Sequence, residues 1–412
     1  MGFIPTIACH MPVDATPSRR LGWLAWAAMM GVCTDARSSE GAWRRVEWKL
    51  GAQVQADHRA VTGGENDFLW RRIRPSLEGR WGEVVTLRIV PELTGGDVRL
   101  TDAYLDVALH PRAALRVGRF KTPIGMERLQ SGSALAFNER GFTSELAPAR
   151  DVGAQLHGRR ADARLEYALG VFNGTPDGRD GHSANPDNAY DIAARVLVQP
   201  WKGSDHALSG LAFGMAASRG DRQGVGDGVL PRYRTPGQST FFRYRSTVMA
   251  DGSHERWSPQ VSWHGGPFGL MGEYLASKQG LRDTVSAART ALDHRAWQVV
   301  GRWVVTGEDA GLRGVSQPAR PFSPGAGQWG ALEAVARVGR LDIDEDAFPV
   351  FADASSSASS ARSWGVGLNW YPGGNLKLAA NYTDTRFAQG APDAMSRRAD
   401  ERVFFTRVQL AF

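Results

Sequence analysis

From residue 43 onward the chain alternates apolar and polar side chains in segments of about ten residues, divided by stretches rich in Gly, Pro, Asp and Ser. A period of two marks extended strands with two chemically different faces, and strands of this length suit a tilted crossing of a bilayer. The pattern predicts strands at 43–58, 67–80, 83–93, 98–109, 113–121, 151–159, 162–173, 188–200, 206–219, 255–265, 267–278, 293–306, 327–343, 361–371, 374–387 and 400–412. That makes sixteen, and an even number lets one antiparallel sheet close on itself. No run reaches the roughly 18–20 apolar residues of a spanning helix, so a helical membrane protein is excluded.

The joins support a barrel. Short turns such as Trp81-Gly82, Gly265-Gly266 and Pro372-Gly373 alternate with longer connections at 122–150, 174–187, 220–254, 279–292, 344–360 and 388–399. Short turns at one end and long loops at the other are the asymmetry of an outer-membrane barrel. Two joins depart from it: 94–97 is short, and 307–326 is long at the short-turn end.

Lipid tolerates few charges at mid-bilayer, where each costs about 2–4 kcal/mol, so parity assigns the faces. Phe404, Val408, Leu410 and Phe412 face out against Arg407 and Gln409; Leu332, Ala334, Ala336 and Val338 face out against Glu333 and Arg337. Val85, Leu87 and Ile89 oppose Arg88 and Glu92, Ala103, Leu105 and Val107 oppose Asp102, Tyr104 and Asp106, and Arg72, Arg74, Glu78 and Arg80 share a face. A lumen so charged is expected to be wet and to conduct or bind solutes.

Residues 1–36 have the form of a secretory signal: Arg19 and Arg20, then the apolar run Leu21–Cys33, then small and polar residues. The mature barrel domain is expected at 37–412, without Cys9 and Cys33, hence with no disulfide. The whole chain carries +6 and has 44 Arg against 5 Lys. The Arg residues are dispersed singly through alternating segments, which does not favour nucleic acid as a partner.

Gly118-Arg-Phe-Lys-Thr-Pro-Ile-Gly-Met-Glu-Arg-Leu129 resembles the stretch entering the third loop of the phosphate-selective porin O and P family. Pro148–Gly153, Gln155–Gly158, Tyr167–Gly174, Thr306–Glu308 and Arg407–Phe412 extend the likeness. The resemblance implies a trimeric, sixteen-stranded, all-β outer-membrane channel for small anions, phosphate or polyphosphate among them, with an inward-folded third loop. It also implies that Phe412 is an insertion signal; the plainer reading is a last lipid-facing aromatic.

On that basis Lys121, Arg128, Arg140, Arg150, Arg72, Arg74 and Arg88 are candidates for the constriction, with Lys377 a second inward amine. For Lys121 the competing role is structural pairing with a carboxylate. Arg232, Arg234, Arg243 and Arg245, interleaved with Tyr233, Phe242 and Tyr244, are candidates for an external funnel, since guanidinium groups bind phosphate oxygens bidentately. The alternative for that loop is a surface contacting lipopolysaccharide phosphates. The shortage of Lys weakens phosphate specificity more than anion preference, and inward acids such as Asp102 and Asp106 dilute the field.

No cofactor, metal site or catalytic residue is predicted. Gly325–Gly330 matches a dinucleotide fingerprint only by letter, Asp342/Asp344/Asp346 lacks the glycine of a calcium loop, and His157 lacks a second histidine at metal spacing. The competing functions are a general, weakly selective porin, an outer-membrane hydrolase, for which no G-x-S-x-G signature appears, and a repeat-built binding module, for which no internal repeat appears.

Overall fold

The computed structural model describes residues 46–64, 66–160, 162–226, 228–388 and 398–412. The leader expected at 1–36 lies outside them. Sixteen antiparallel strands close into one barrel: β1 (Val46–Val61), β2 (Asp67–Trp81), β3 (Val85–Glu92), β4 (Arg99–His110), β5 (Ala113–Lys121), β6 (Arg150–Arg160), β7 (Leu165–Phe172), β8 (Asp191–Val198), β9 (Ala212–Val225), β12 (Val248–Gly265), β13 (Phe268–Asp283), β14 (Arg289–Val304), β15 (Ala331–Asp342), β16 (Ser360–Tyr371), β17 (Leu376–Ala388) and β18 (Glu401–Ala411). A separate hairpin, β10 (Arg232–Arg234) with β11 (Thr240–Arg243), sits between β9 and β12. Closure comes from β1 pairing with β18, in register from Gln53↔Ala411 to Val61↔Val403. All backbone pairing is then internal, which a lipid surround demands.

Every strand predicted from the alternation is present, and the parity follows. Phe404, Val408, Leu410 and Phe412 are exposed on the outside, whereas Arg407, Gln409, Glu333 and Arg337 are buried within. Several boundaries change, among them the start of β9, found at Ala212 where 206 was expected. Strands β13 and β14 run to Asp283 and from Arg289, so the long loop expected at 279–292 shrinks to 284–288. Their outer tips carry Arg282 and Arg289, both paired with Asp251 of β12 (3.5 and 3.2 Å). Beyond the lipid the outer face no longer has to be apolar, so these tips look like loop in sequence. The join expected at 220–254 likewise contracts to 226–247.

The long 305–330 segment, for which the strand pattern offers no reason, covers apolar surface inside the short-turn end. Ala310 and Val315 are buried with Val304, Ala331 and Tyr371, and the Ala310 amide donates to Gly266 O (2.8 Å).

The seam depends on a buried ion pair. Arg407 of β18 donates to both carboxylate oxygens of Asp57 on β1 (2.7 and 2.6 Å), to Asn138 O (2.7 Å) and to Glu139 (3.2 Å). Replacing Arg407 by Ala strips the buried Asp57 carboxylate of its bidentate partner and leaves Glu139 to Arg71. The expected cost is about 3–5 kcal/mol, read as a lowered urea midpoint by tryptophan fluorescence in micelles.

Candidate functional site

Two connections between strands reach the inward face of the barrel. Segment 122–149 contains two single-turn helices, Met126–Leu129 and Thr143–Leu146. Its backbone carbonyls are collected by side chains from around the wall. Gln55 (β1) takes Gly132 O at 3.2 Å, Gln409 (β18) Ser133 O at 3.1 Å, Arg302 (β14) Ala134 O at 2.9 Å, Lys377 (β17) Leu135 O at 2.8 Å, Asn369 (β16) Ala136 O at 3.0 Å and Arg337 (β15) Glu139 O at 2.9 Å. At the other side of the segment, Glu273 of β13 accepts the amides of Met126 and Glu127, the Thr143 hydroxyl (2.9 Å) and the Ser258 hydroxyl (3.2 Å). Buried backbone groups must be paired, and here barrel side chains do the pairing. Lys377, expected as an exposed inward amine, is 6% exposed and spent on Leu135 O and on the nearby Glu333 carboxylate.

Glu139 fastens the segment to β2. Burial pushes its carboxyl up, but Arg71, Arg72 and Arg407 more than reverse this and hold it below the usual carboxylate range. Arg71 (2.5 Å to Glu139) is invisible to parity, because it should face away from Arg72. A bulge explains it: Gln55 pairs with Arg72 and Ala56 with Trp70, so Arg71 is the extra residue and can turn inward.

Between segment 122–149 and the wall of β2–β7 lies an open cavity of about 1440 Å³. Lys121, Arg128, Arg140, Arg150, Arg72, Arg74 and Arg88 all border it, together with Arg71, Arg116, Arg195 and Arg313; the bordering acids include Asp102, Glu139, Glu145 and Asp180. The basic groups differ in how they are held. Arg74 pairs with Glu92 (2.6 Å), Arg88 with Glu78 (3.0 Å) and Arg150 with Asp102 (2.8 Å). Arg72 donates instead to Gln55 (2.5 Å). Lys121 donates to Gln130 O (2.6 Å) and Leu129 O (3.2 Å), Arg140 to Gln130 O (2.7 Å) and Arg128 to Ser144 O. These last three cations converge on carbonyls rather than carboxylates. Burial and the neighbouring Arg128 guanidinium lower the Arg140 pKa to about 9, the direction expected of crowded positive charge.

Of the four funnel candidates, the hairpin register sets Arg232 directly opposite Arg243. Tyr233, Phe241 and Phe242 of the 226–247 hairpin are at most 1% exposed, packed with Phe142 and Leu146 and with the inward Leu275, Leu281, Leu292 and Leu341 of β13–β15. Alternation of Arg with aromatics there gives a hairpin whose apolar face covers an apolar patch of inner wall. Arg243 and Arg245 are exposed, Arg232 is half-buried, and Arg234 alone of the four borders the cavity, bonded to Glu145. Arg222 is buried in the wall against Asp191 (2.7 Å).

A cluster that sequence spacing could not show is Asp177, His254, Arg256 and Ser277. His254 Nε2 lies 2.9 Å from Ser277 Oγ and 3.4 Å from Asp177, while its Nδ1 faces Arg256 (3.2 Å). A nucleophile relay needs serine and acid on different ring nitrogens. Here both share one, and all four residues are at most 1% exposed.

Residues 48–412 match the family described as Phosphate-selective porin O and P. The chain belongs to that family. A curated relative, Porin O of Pseudomonas aeruginosa, is 24% identical over 381 residues, covering 83% of this chain and 84% of its own. Among solved structures, OmpT of Vibrio cholerae, an outer membrane protein in trimer form, has a TM-score of 0.56 at 10% identity, covering 89% of this chain and 99% of that one. An anion-selective porin from Comamonas acidovorans has a TM-score of 0.54 at 10% identity, covering 89% and 100%. The porin is accordingly an outer-membrane channel protein, and the solved structures share its barrel fold.

Glu273 gives a direct check on how the porin's segment 122–149 is seated. Glu273→Ala strips the acceptor from two buried amides and two hydroxyls, at roughly 1–3 kcal/mol for each group left unsatisfied. Larger and noisier single-channel conductance than wild type is expected in planar bilayers.

Proposed function

We propose that this porin is a passive, anion-preferring channel in which segment 122–149 lies across the lumen and narrows it. The carrying observation is the cluster of Lys121, Arg128 and Arg140 at the cavity, bonded to backbone carbonyls with no carboxylate among the bonds described. Lys121, whose competing role was ion pairing, donates to two carbonyls and keeps one N–H available to a passing anion. Arg72, Arg74, Arg88 and Arg150 continue the basic surface along the wall. Moderate sites in series raise the local anion concentration and still release the ion. Phosphate-like oxyanions fit best, because guanidinium groups present paired donors to them.

A weakly selective pore is the second reading. Asp102, Glu139, Glu145 and Asp180 at the same cavity favour it, since each lowers the positive field. The hydrolase reading finds no support at the buried Asp177–His254–Ser277 cluster, for the reasons of geometry and burial given above. We further propose removal of residues 1–36 on export and assembly as a homotrimer, the latter on the likeness to the trimeric Vibrio protein.

Reversal potentials in a KCl gradient test the selectivity element. Reversing one charge, a change of two units, at about 8 Å from the permeating ion changes its energy by about 1 kcal/mol under water-like screening, roughly fivefold in its permeability. Lys121→Glu should therefore lower anion preference about fivefold, and adding Arg140→Glu should lower it further. Arg243→Glu with Arg245→Glu should leave it nearly unchanged. If the constriction variants keep the wild-type reversal potential, the assignment is wrong. Inorganic phosphate added to the wild type should reduce chloride conductance in a saturable way; a purely general pore shows no saturation.

A further inference from the structure

The outer face of β15–β17 carries a charge pattern that the channel does not use. Antiparallel register places Arg340 of β15 directly opposite Arg362 of β16, and Arg362 directly opposite Arg386 of β17. All three are exposed and have the parity of lipid-facing Val338, Trp364 and Val366. Like charges directly opposite on a sheet repel, so three arginines in one row are costly unless something anionic lies over them. The flanking acids do not serve the central one. Asp342 is bonded to Arg340 (2.6 Å), and Asp384 is shared between Arg386 (3.5 Å) and Arg402 of β18 (3.3 Å). Arg362 has no ion pair or hydrogen bond among the described residues.

Height on the barrel indicates the occupant. The row lies at the end bearing the 343–359 connection, opposite the short turns. One step along the strands, about 6.8 Å lower, Trp364 stands opposite Asp384, and its ring packs diagonally on that of Tyr382, which lies one step further down opposite Val366 (5.7 Å between ring centroids). Level with Tyr382 the outer face is Val366 and Ala336, and below it Ala334, Leu368 and Ala380. Trp and Tyr mark the level of lipid headgroups, so the arginine row sits at or just above the outer leaflet's polar boundary.

We propose that Arg340, Arg362 and Arg386 form a binding site for the phosphate of a phosphorylated glycolipid of the outer leaflet. Guanidinium groups side by side can hold a phosphate bidentately from more than one strand, which turns a repulsive row into a lateral clamp across β15, β16 and β17. The proposal rests on the outer-membrane assignment and is independent of the anion preference of the pore.

The test uses purified full-length porin in detergent, titrated with bis-phosphorylated lipid A, its dephosphorylated form or inorganic phosphate, with thermal unfolding as readout. Bis-phosphorylated lipid A should raise the unfolding temperature of the wild type and its dephosphorylated form should do so little, while inorganic phosphate, which the pore itself is proposed to bind, should act equally on the wild type and on the triple variant. The triple variant R340Q/R362Q/R386Q should bind it about tenfold or more weakly, as loss of charge-assisted bonds implies, with an unchanged reversal potential in bilayers. R362K should keep part of the affinity, and it provides the readout should the triple variant fail to fold. Equal lipid A response in wild type, R362K and R362Q would overturn the proposal. So would an inorganic-phosphate response that the triple variant loses, which marks a free-ion site, or loss of the native oligomer in the variants, which marks a subunit contact.

Discussion

The interior of this barrel depends on one exchange: carbonyl oxygens of residues 132–139 are satisfied by side chains from β1 and β14–β18 rather than by water. Those donors are Gln55, Gln409, Arg302, Lys377, Asn369, Arg407 and Arg337, all on the inward parity. A loop of irregular backbone cannot lie against a wall without such partners. Once it is held, its other edge presents Lys121, Arg128 and Arg140 to the cavity. Charge inside the barrel therefore divides into cations that fasten the segment and cations that face solvent.

That division was only partly legible in the sequence. Strand number and parity could be read because lipid forbids charge on one face, so Leu332, Ala334 and Ala336 against Glu333 and Arg337 leave a single solution. Which inward cations remain available could not be read. Lys377 and Arg407 have the same parity as Arg74 and Arg88, and only the path of segment 122–149 separates fasteners from cavity residues. Arg71 was hidden because a bulge breaks the period of two. The packing of the 226–247 hairpin was not legible either, because alternating Arg and aromatic residues suit a stacked anion site as well as an amphipathic hairpin. Its true partner, the inward Leu275, Leu281, Leu292 and Leu341, violates the polar-lumen rule that made the other strands readable.

The two inward connections leave the passage off-centre. Apolar packing of the hairpin fills the side of β13–β15, and the open volume runs along β2–β7, where the paired Arg74, Arg88 and Arg150 stand. Carboxylates bonded to these arginines fix where the guanidinium groups point, at the expense of net charge. In the proposed channel, selectivity then falls to Lys121 at the end of β5 and to Arg128 and Arg140 of the segment, whose partners are neutral oxygens.

The fastening of segment 122–149 also bears on how the chain reaches its final form. The segment is encoded after the fifth strand, yet its partners include Lys377, Arg407 and Gln409, from the last two strands, and Gln55 and Arg71, from the first two. These residues surround it only when β1 has met β18. A barrel still open at the seam separates β5 and β6, where the segment is rooted, from β14–β18, which supply six of its seven carbonyl donors, so a seated segment implies a closed wall. In the proposed channel the constricted form is therefore open only to a completed barrel, because closure is what gathers the donors that seat the segment.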